Sequence, residues 1–161
     1  MGRYYIAVIN PPLKEDITII DKHIARSSSN RLKMACVDNT GKNAKTAFKT
    51  LALSSDEKNQ LIACKLFTGR THQIRVHLET INRHIIGDHI YAISPKQEKS
   101  ERILLHAYII YFIHPTSKEK LSFVAPLDAD MKEYLNKKFN MEQINEVMDT
   151  SNILHSFSTD S

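Results

Sequence analysis

Thr68-Gly69-Arg70-Thr71-His72-Gln73-Ile74-Arg75-Val76-His77 puts two arginines and two histidines directly after the apolar run of residues 60–67. That run reads as a buried strand. Gly69 then marks a short turn, after which Ile74, Leu78 and Ile81 recur at i, i+4 and i+7 along one helical face, with Thr71 as the expected N-cap. A strand therefore delivers basic side chains into the first turns of a helix. Free backbone N–H groups and the positive end of the helix dipole suit such a place to phosphate or carboxylate. On residue types alone, a basic helix start solvated at the surface accounts for the same residues.

Upstream, residues 4–9 are dense in β-branched and aromatic side chains and stop at Asn10-Pro11-Pro12, a strand followed by a turn. Residues 17–24 read as another extended segment, residues 25–33 as a Ser-rich basic loop, and residues 34–37 as a short strand. Residues 44–52 follow a period nearer 2 than 3.6 and pair with residues 60–67 as an antiparallel hairpin. Downstream come a turn at Gly87-Asp88, a polar insertion at residues 94–102, and a second hairpin from residues 103–113 and 120–125. A helix over residues 128–139 carries Met131, Tyr134 and Leu135 on its apolar side. No repeat of fixed period is visible. The expected fold class is α+β, a mixed and mainly antiparallel sheet with flanking helices. Residues 1–140 form the domain, and residues 141–161 a partly disordered tail whose last ten or so residues are loosely ordered.

The 161 residues have room for one domain, and 42% hydrophobic with 25% charged content suits a soluble core. A net charge of +4 leans toward polyanionic partners without deciding for them. Cys36 and Cys64 are far apart and form no Cys-x-x-Cys pair, so neither a disulfide framework nor a cysteine-based zinc site is indicated, and a reducing cytoplasm is the expected location. His72 and His77, five residues apart on different faces of a helix, make poor joint metal ligands. His106 and His114 read as structural. The longest apolar run, residues 103–113, is broken by His106 and falls short of the roughly 20 residues of a membrane span. Gly41-Lys42 lacks the preceding glycine and the following Ser or Thr of a phosphate-binding P-loop.

The stretch from Thr68 to His77 resembles, position for position, the third conserved motif of RNA pseudouridine synthases of the RluA/RluD type. Other segments resemble the same family in the same order. Arg3-Tyr4-Tyr5-Ile6-Ala7-Val8 is similar to its Lys-x-Tyr-x-Ala-x-Val strand, and residues 42–51 to its Lys-x-Ala-x-Thr-x-Phe-x-Val-Leu segment, with Thr50 where Val is usual. Gly87-Asp88 with Tyr91 resembles its Gly-Asp-x-x-Tyr turn, and Leu104-Leu105-His106-Ala107 with His114-Pro115 its Leu-Leu-His-Ala and His-Pro pair. The closing residues 123–131 follow the pattern too.

The resemblance implies a partial pseudouridine synthase fold and isomerisation of uridine in ribosomal or transfer RNA, with no cofactor and no metal. It implies that Arg75 ion-pairs with a nucleophilic Asp and that Tyr5 helps remove the C5 proton. A planar guanidinium can grip a carboxylate through two hydrogen bonds, and a strand tyrosine can stack on a base while offering its hydroxyl. For Tyr5, an ordinary core or interface tyrosine is the alternative. Arg70, Thr71, His72 and Gln73 at the turn are the expected RNA-binding residues, with Lys33, Lys42 and Arg83 as further backbone contacts. The family carries its nucleophile in an Arg-Leu-Asp sequence ahead of the strand matched by Tyr5. Here Arg31-Leu32 is followed by Lys33, and Asp88 reads as a turn residue. The expectation is therefore a fragment without its nucleophile, inactive alone, in which Arg75 awaits an acidic partner from elsewhere and an exposed sheet edge promotes self-association. A noncatalytic RNA-binding module on the same fold is the alternative.

Overall fold

Residues 4–9 read Tyr-Tyr-Ile-Ala-Val-Ile, with no polar position to mark a solvent face, so the strand they form needs cover on both sides. The computed structural model, which describes residues 2–92, 100 and 102–157, places that strand, β1 (Gly2–Asn10), inside the sheet. Tyr4, Ile6 and Val8 enter one core cluster, while Ala7 and Ile9 enter another with Tyr5 packed against it. The period-2 geometry of a strand makes this division.

β2 (Ile17–Asp21), β5 (Lys45–Leu53), β6 (Gln60–Leu66), β8 (Leu105–Ile113) and β9 (Lys120–Val124) complete the order β2-β5-β6-β1-β8-β9, and the short β7 (His84–Ile85) also pairs with β1. Every pairing among the described residues is antiparallel. The extended segment at residues 17–24 splits at Lys22: its second part, β3 (His23–Arg26), leaves the main sheet and forms a separate hairpin with β4 (Met34–Val37).

Helix α1 (Gln73–Thr80) covers the face that carries Ala7 and Ile9, through Ile74 and Leu78. The opposite face is covered by α2 (Ala129–Lys138), α3 (Met141–Val147) and α4 (Thr150–Ser156). Asp128 caps α2 by accepting from the Met131 N–H, and Met131 and Leu135 are buried as its periodicity requires. The tail expectation is corrected through residue 157. Ile144, Ile153 and Phe157 are at most 2% exposed and join the same core as Tyr4, so burying these apolar side chains holds the segment in place. Asn140 and Asp149 supply the caps, signals hidden within a Ser- and Asn-rich composition. Residues 158–161 and most of the polar insertion at 94–102 lie outside the described residues. No helix of the described residues is long and apolar enough to cross a membrane.

Candidate active site

Helix α1 starts one residue later than Thr71 as N-cap would place it. His72 occupies the N-cap position in the left-handed region (φ 56°), and no side chain caps the helix. The reason lies in Gln73. Its Oε1 accepts from the Thr68 hydroxyl at 2.7 Å and the Arg70 N–H at 3.0 Å. Its Nε2 donates at 2.9 Å to both the Lys45 carbonyl and the Thr46 hydroxyl. All four hydrogen-bonding positions of the amide are thereby satisfied inside the protein, and they draw the turn tightly onto β5. Gln73, expected to contact RNA, is instead a buried tie between turn and sheet.

The same network fixes His77. Its Nε2 faces the Lys22 carbonyl at 3.0 Å and must carry the proton, so Nδ1 accepts from the Thr46 hydroxyl at 2.8 Å. Burial, its largest influence, holds this imidazole below its usual pKa and keeps it neutral. Gly69 answers a different need. A side chain there would collide with the Arg3 guanidinium, which lies across the turn.

Arg75 points from α1 to Asp88. Its Nε donates to Oδ2 at 2.9 Å and its Nη2 to Oδ1 at 2.7 Å, a bidentate pair in which the Asp88 side chain is 1% exposed. Oδ1 also accepts from the N–H groups of Ile90 and Tyr91, both at 3.0 Å. Burial alone would raise the Asp88 pKa, but the Arg75 hydrogen bonds, the two backbone donors and the Arg75 charge outweigh it and hold the carboxyl below its usual value. The expectation that Arg75 lacks an acidic partner in this chain is thus corrected: Asp88, read as a turn residue, is that partner. Arg75 Nη1 makes no hydrogen bond among the described residues.

Tyr91 ties this pair to the β3–β4 hairpin. The Met34 N–H donates to its hydroxyl at 2.8 Å, so the hydroxyl proton is free to reach His72 Nδ1 at 2.9 Å. Burial, first, and the nearby Arg75 charge hold His72 below its usual pKa, in the neutral form that can accept this bond. The Tyr91 ring lies 5.0 Å from the Arg75 guanidinium carbon and 5.2 Å from Lys33 Nζ. Lys33 in turn pairs with Glu79 on α1 at 3.0 Å.

Two concave surfaces flank this framework. Tyr5 lines a cavity of about 310 Å³ together with Arg3, Ala107, Ile110 and Phe123, where a β-bulge between Tyr4 and Tyr5 shifts the register against β8. Arg70 and Thr71 line a second, of about 420 Å³, with Arg26, Met34 and Lys42 from the hairpin side. Arg70 is partly committed there, donating to the Asn43 carbonyl at 2.9 Å and the Asn43 side chain at 3.1 Å. Tyr5 packs on the α1 side of the sheet, the side from which Arg75 reaches Asp88. Arg3 reaches from the Tyr5 cavity to Gly69. Sequence reasoning assigned no role to Arg3 or Tyr91 and missed the pairing of Asp88. The position of Gly87-Asp88 followed by Tyr91 was the available signal.

Known proteins resemble this chain in sequence and shape. A family model described as RNA pseudouridylate synthase matches residues 1–80. An RNA pseudouridine synthase of Helicobacter pylori is 49% identical over 162 aligned residues, covering 98% of this chain and 49% of that protein. The ribosomal large subunit pseudouridine synthase D of Zymomonas mobilis is 37% identical over 142, covering 82% and 43%. The chain thus spans about half the length of the curated relatives it matches. The solved structure of human RNA pseudouridylate synthase domain containing 1 superposes with a TM-score of 0.71 at 22% identity, over 92% of this chain and 66% of that one, a likeness of fold. With matched motifs, a shared sheet and close relatives agreeing, the chain belongs to the RNA pseudouridine synthase family, of the RluA/RluD type.

Proposed function

We propose that this chain supplies the base-facing half of an active site that isomerises uridine to pseudouridine in RNA. The observation that carries the reading is the Arg75–Asp88 pair, which uses Nε and Nη2 and leaves Nη1 available to a second carboxylate. Asp88 thereby aims the guanidinium, and Nη1 holds the nucleophile ionised and directed at the glycosidic carbon. Once the bond from that carbon to N1 breaks, the base turns and rejoins through C5. The C5 proton then leaves with help from the Tyr5 hydroxyl, which lines an apolar cavity of base-sized dimensions.

On this reading the nucleophile comes from outside residues 1–161, and the chain alone does not turn over. The Arg70–Thr71 groove, bordered by Arg26 and Lys42, takes the RNA backbone of a ribosomal or transfer RNA. The site of action is the cytoplasm, in keeping with the free Cys36 and Cys64. Outer strand β9 and the exposed Ile113, Phe123 and Val124 favour self-association of the chain.

The test is release of tritium from RNA labelled at uridine C5, by the full-length natural protein. Arg75→Ala is expected to abolish release, and undiminished release would remove Arg75 from the site.

A further inference from the structure

The sheet face opposite α1 carries a row of cations and aromatic rings at its open end. Register sets it out. Lys65 pairs with both Tyr4 and Ala47, so these three share the face of the larger core. Phe67 and Lys45, two residues further along their strands, project the same way, joined by the Phe67 N–H to the Lys45 carbonyl at 3.1 Å. Tyr111 lies across Gly2 beside Tyr4, and Lys120 follows it from β9.

The contacts are specific. Lys45 Nζ stands 4.7 Å and Lys65 Nζ 4.8 Å from the centre of the Phe67 ring, and Lys120 Nζ stands 4.3 Å from that of Tyr111. None of the three ammonium groups has a carboxylate in ion-pair range among the described residues. Phe67, 37% exposed, immediately precedes Thr68, so the row begins where the backbone enters the Thr-Gly-Arg turn.

We propose that this row is a second RNA-binding surface, on which a base of single-stranded RNA stacks against Phe67 while Lys45, Lys65 and Lys120 take its phosphates. Unpaired ammonium groups beside an exposed ring are the combination that holds single strands without reading sequence. RNA crossing the Arg70 groove reaches Phe67 by passing over the sheet end at the turn, which extends the contact to the face away from Arg75 and Tyr5. The proposal rests on RNA being the substrate, but it concerns binding and not turnover.

The chain contains no tryptophan, so Phe67→Trp creates a reporter at this one place. The probe is a fluorescein-labelled, single-stranded 16-nucleotide RNA of mixed uridine and cytidine. With this variant, tryptophan emission is expected to fall in step with the rise in RNA anisotropy. The double change Lys45→Glu with Lys65→Glu, in the otherwise natural chain, is expected to weaken binding about tenfold or more and to reduce the slope of log K against log salt by about 1.4, two phosphate contacts on a single strand. Emission that stays constant while the RNA binds, affinity within about twofold after the double change, or no binding at about 0.1 M salt would each overturn the proposal. Tritium release by the full-length protein reports separately on the isomerase reading, so the two stand or fall on different measurements.

Discussion

Asp88 holds Arg75 through two N–H···O contacts of 2.9 and 2.7 Å, and the carboxylate takes two further N–H donors from the turn that follows. The ion pair thus joins α1 to the segment after β7. It sets the direction of the one arginine on α1, so on the proposed reading its loss would act on both fold and chemistry.

Asp88→Asn keeps the shape but removes the charge opposite a guanidinium whose side chain is 17% exposed. Breaking one side of a buried pair costs about 3 kcal/mol. Chemical denaturation is expected to show a loss of that order, and tritium release by the full-length protein to fall at least as far as the folded fraction. A variant with unchanged stability would show that the pair carries little of the fold.

Stability should depend on pH through one buried and two half-buried histidines. His72, His77 and His84 all lie below the ordinary value of 6.5 in the folded protein, burial being the largest cause in each. As pH falls through 6.5 the unfolded chain takes up protons first, so stability is complete above that value and is lost below it. Urea midpoints are expected to drop between about pH 7 and pH 5, and His77→Gln to flatten part of that drop. Midpoints that rise on acidification would contradict the burial.

Phe157→Ala tests the order of the C-terminal segment. The ring is 1% exposed and lies 5.6 Å, centre to centre, from Tyr4. Removing a buried phenyl group costs about 3 kcal/mol or more, which thermal melting would register as a clear fall. A negligible change would return residues 150–157 to the status of a loose tail.

Gly87 has φ 83°, and a side chain there would meet the Arg102 carbonyl. Gly87→Ala is expected to cost about 2 kcal/mol, since both the backbone conformation and the space oppose it. Asp88 should shift with it, so on the proposed reading tritium release by the full-length protein is expected to fall beyond the loss in stability. Retained stability in a denaturant titration would show that the turn can relax.

The exposed apolar surface of β8 and β9 predicts concentration-dependent association of the isolated chain. Phe123→Lys with Val124→Lys places charges on residues 55% and 48% exposed, and light scattering is expected to show fewer associated species. A chain that stays monomeric at high concentration without the substitutions would count against the edge as a contact surface.

Much of the architecture was legible because it follows local pattern. The apolar run of β1, the hairpins β5–β6 and β8–β9 and the apolar side of α2 all show in residues adjacent in the chain. The split of residues 17–24 at Lys22 was not legible, since both parts are equally extended and only pairing partners divide them. Composition misled at residues 141–157, where a few apolar side chains at helical spacing decide the outcome against a polar background.

The sequence by itself determined the family, the motif turn and the residue types gathered there, because motif order and strand period are properties of neighbouring residues. Only the tertiary structure decided which of those residues face outward. Gln73 turned inward because four partners from strand β5 and the turn after β6 converge on its amide, and Arg75 found Asp88 because α1 and the turn after β7 pack side by side. A side chain's partner depends on what folding brings within about 3 Å of it, and residues 13 positions apart carry no local sign of that approach.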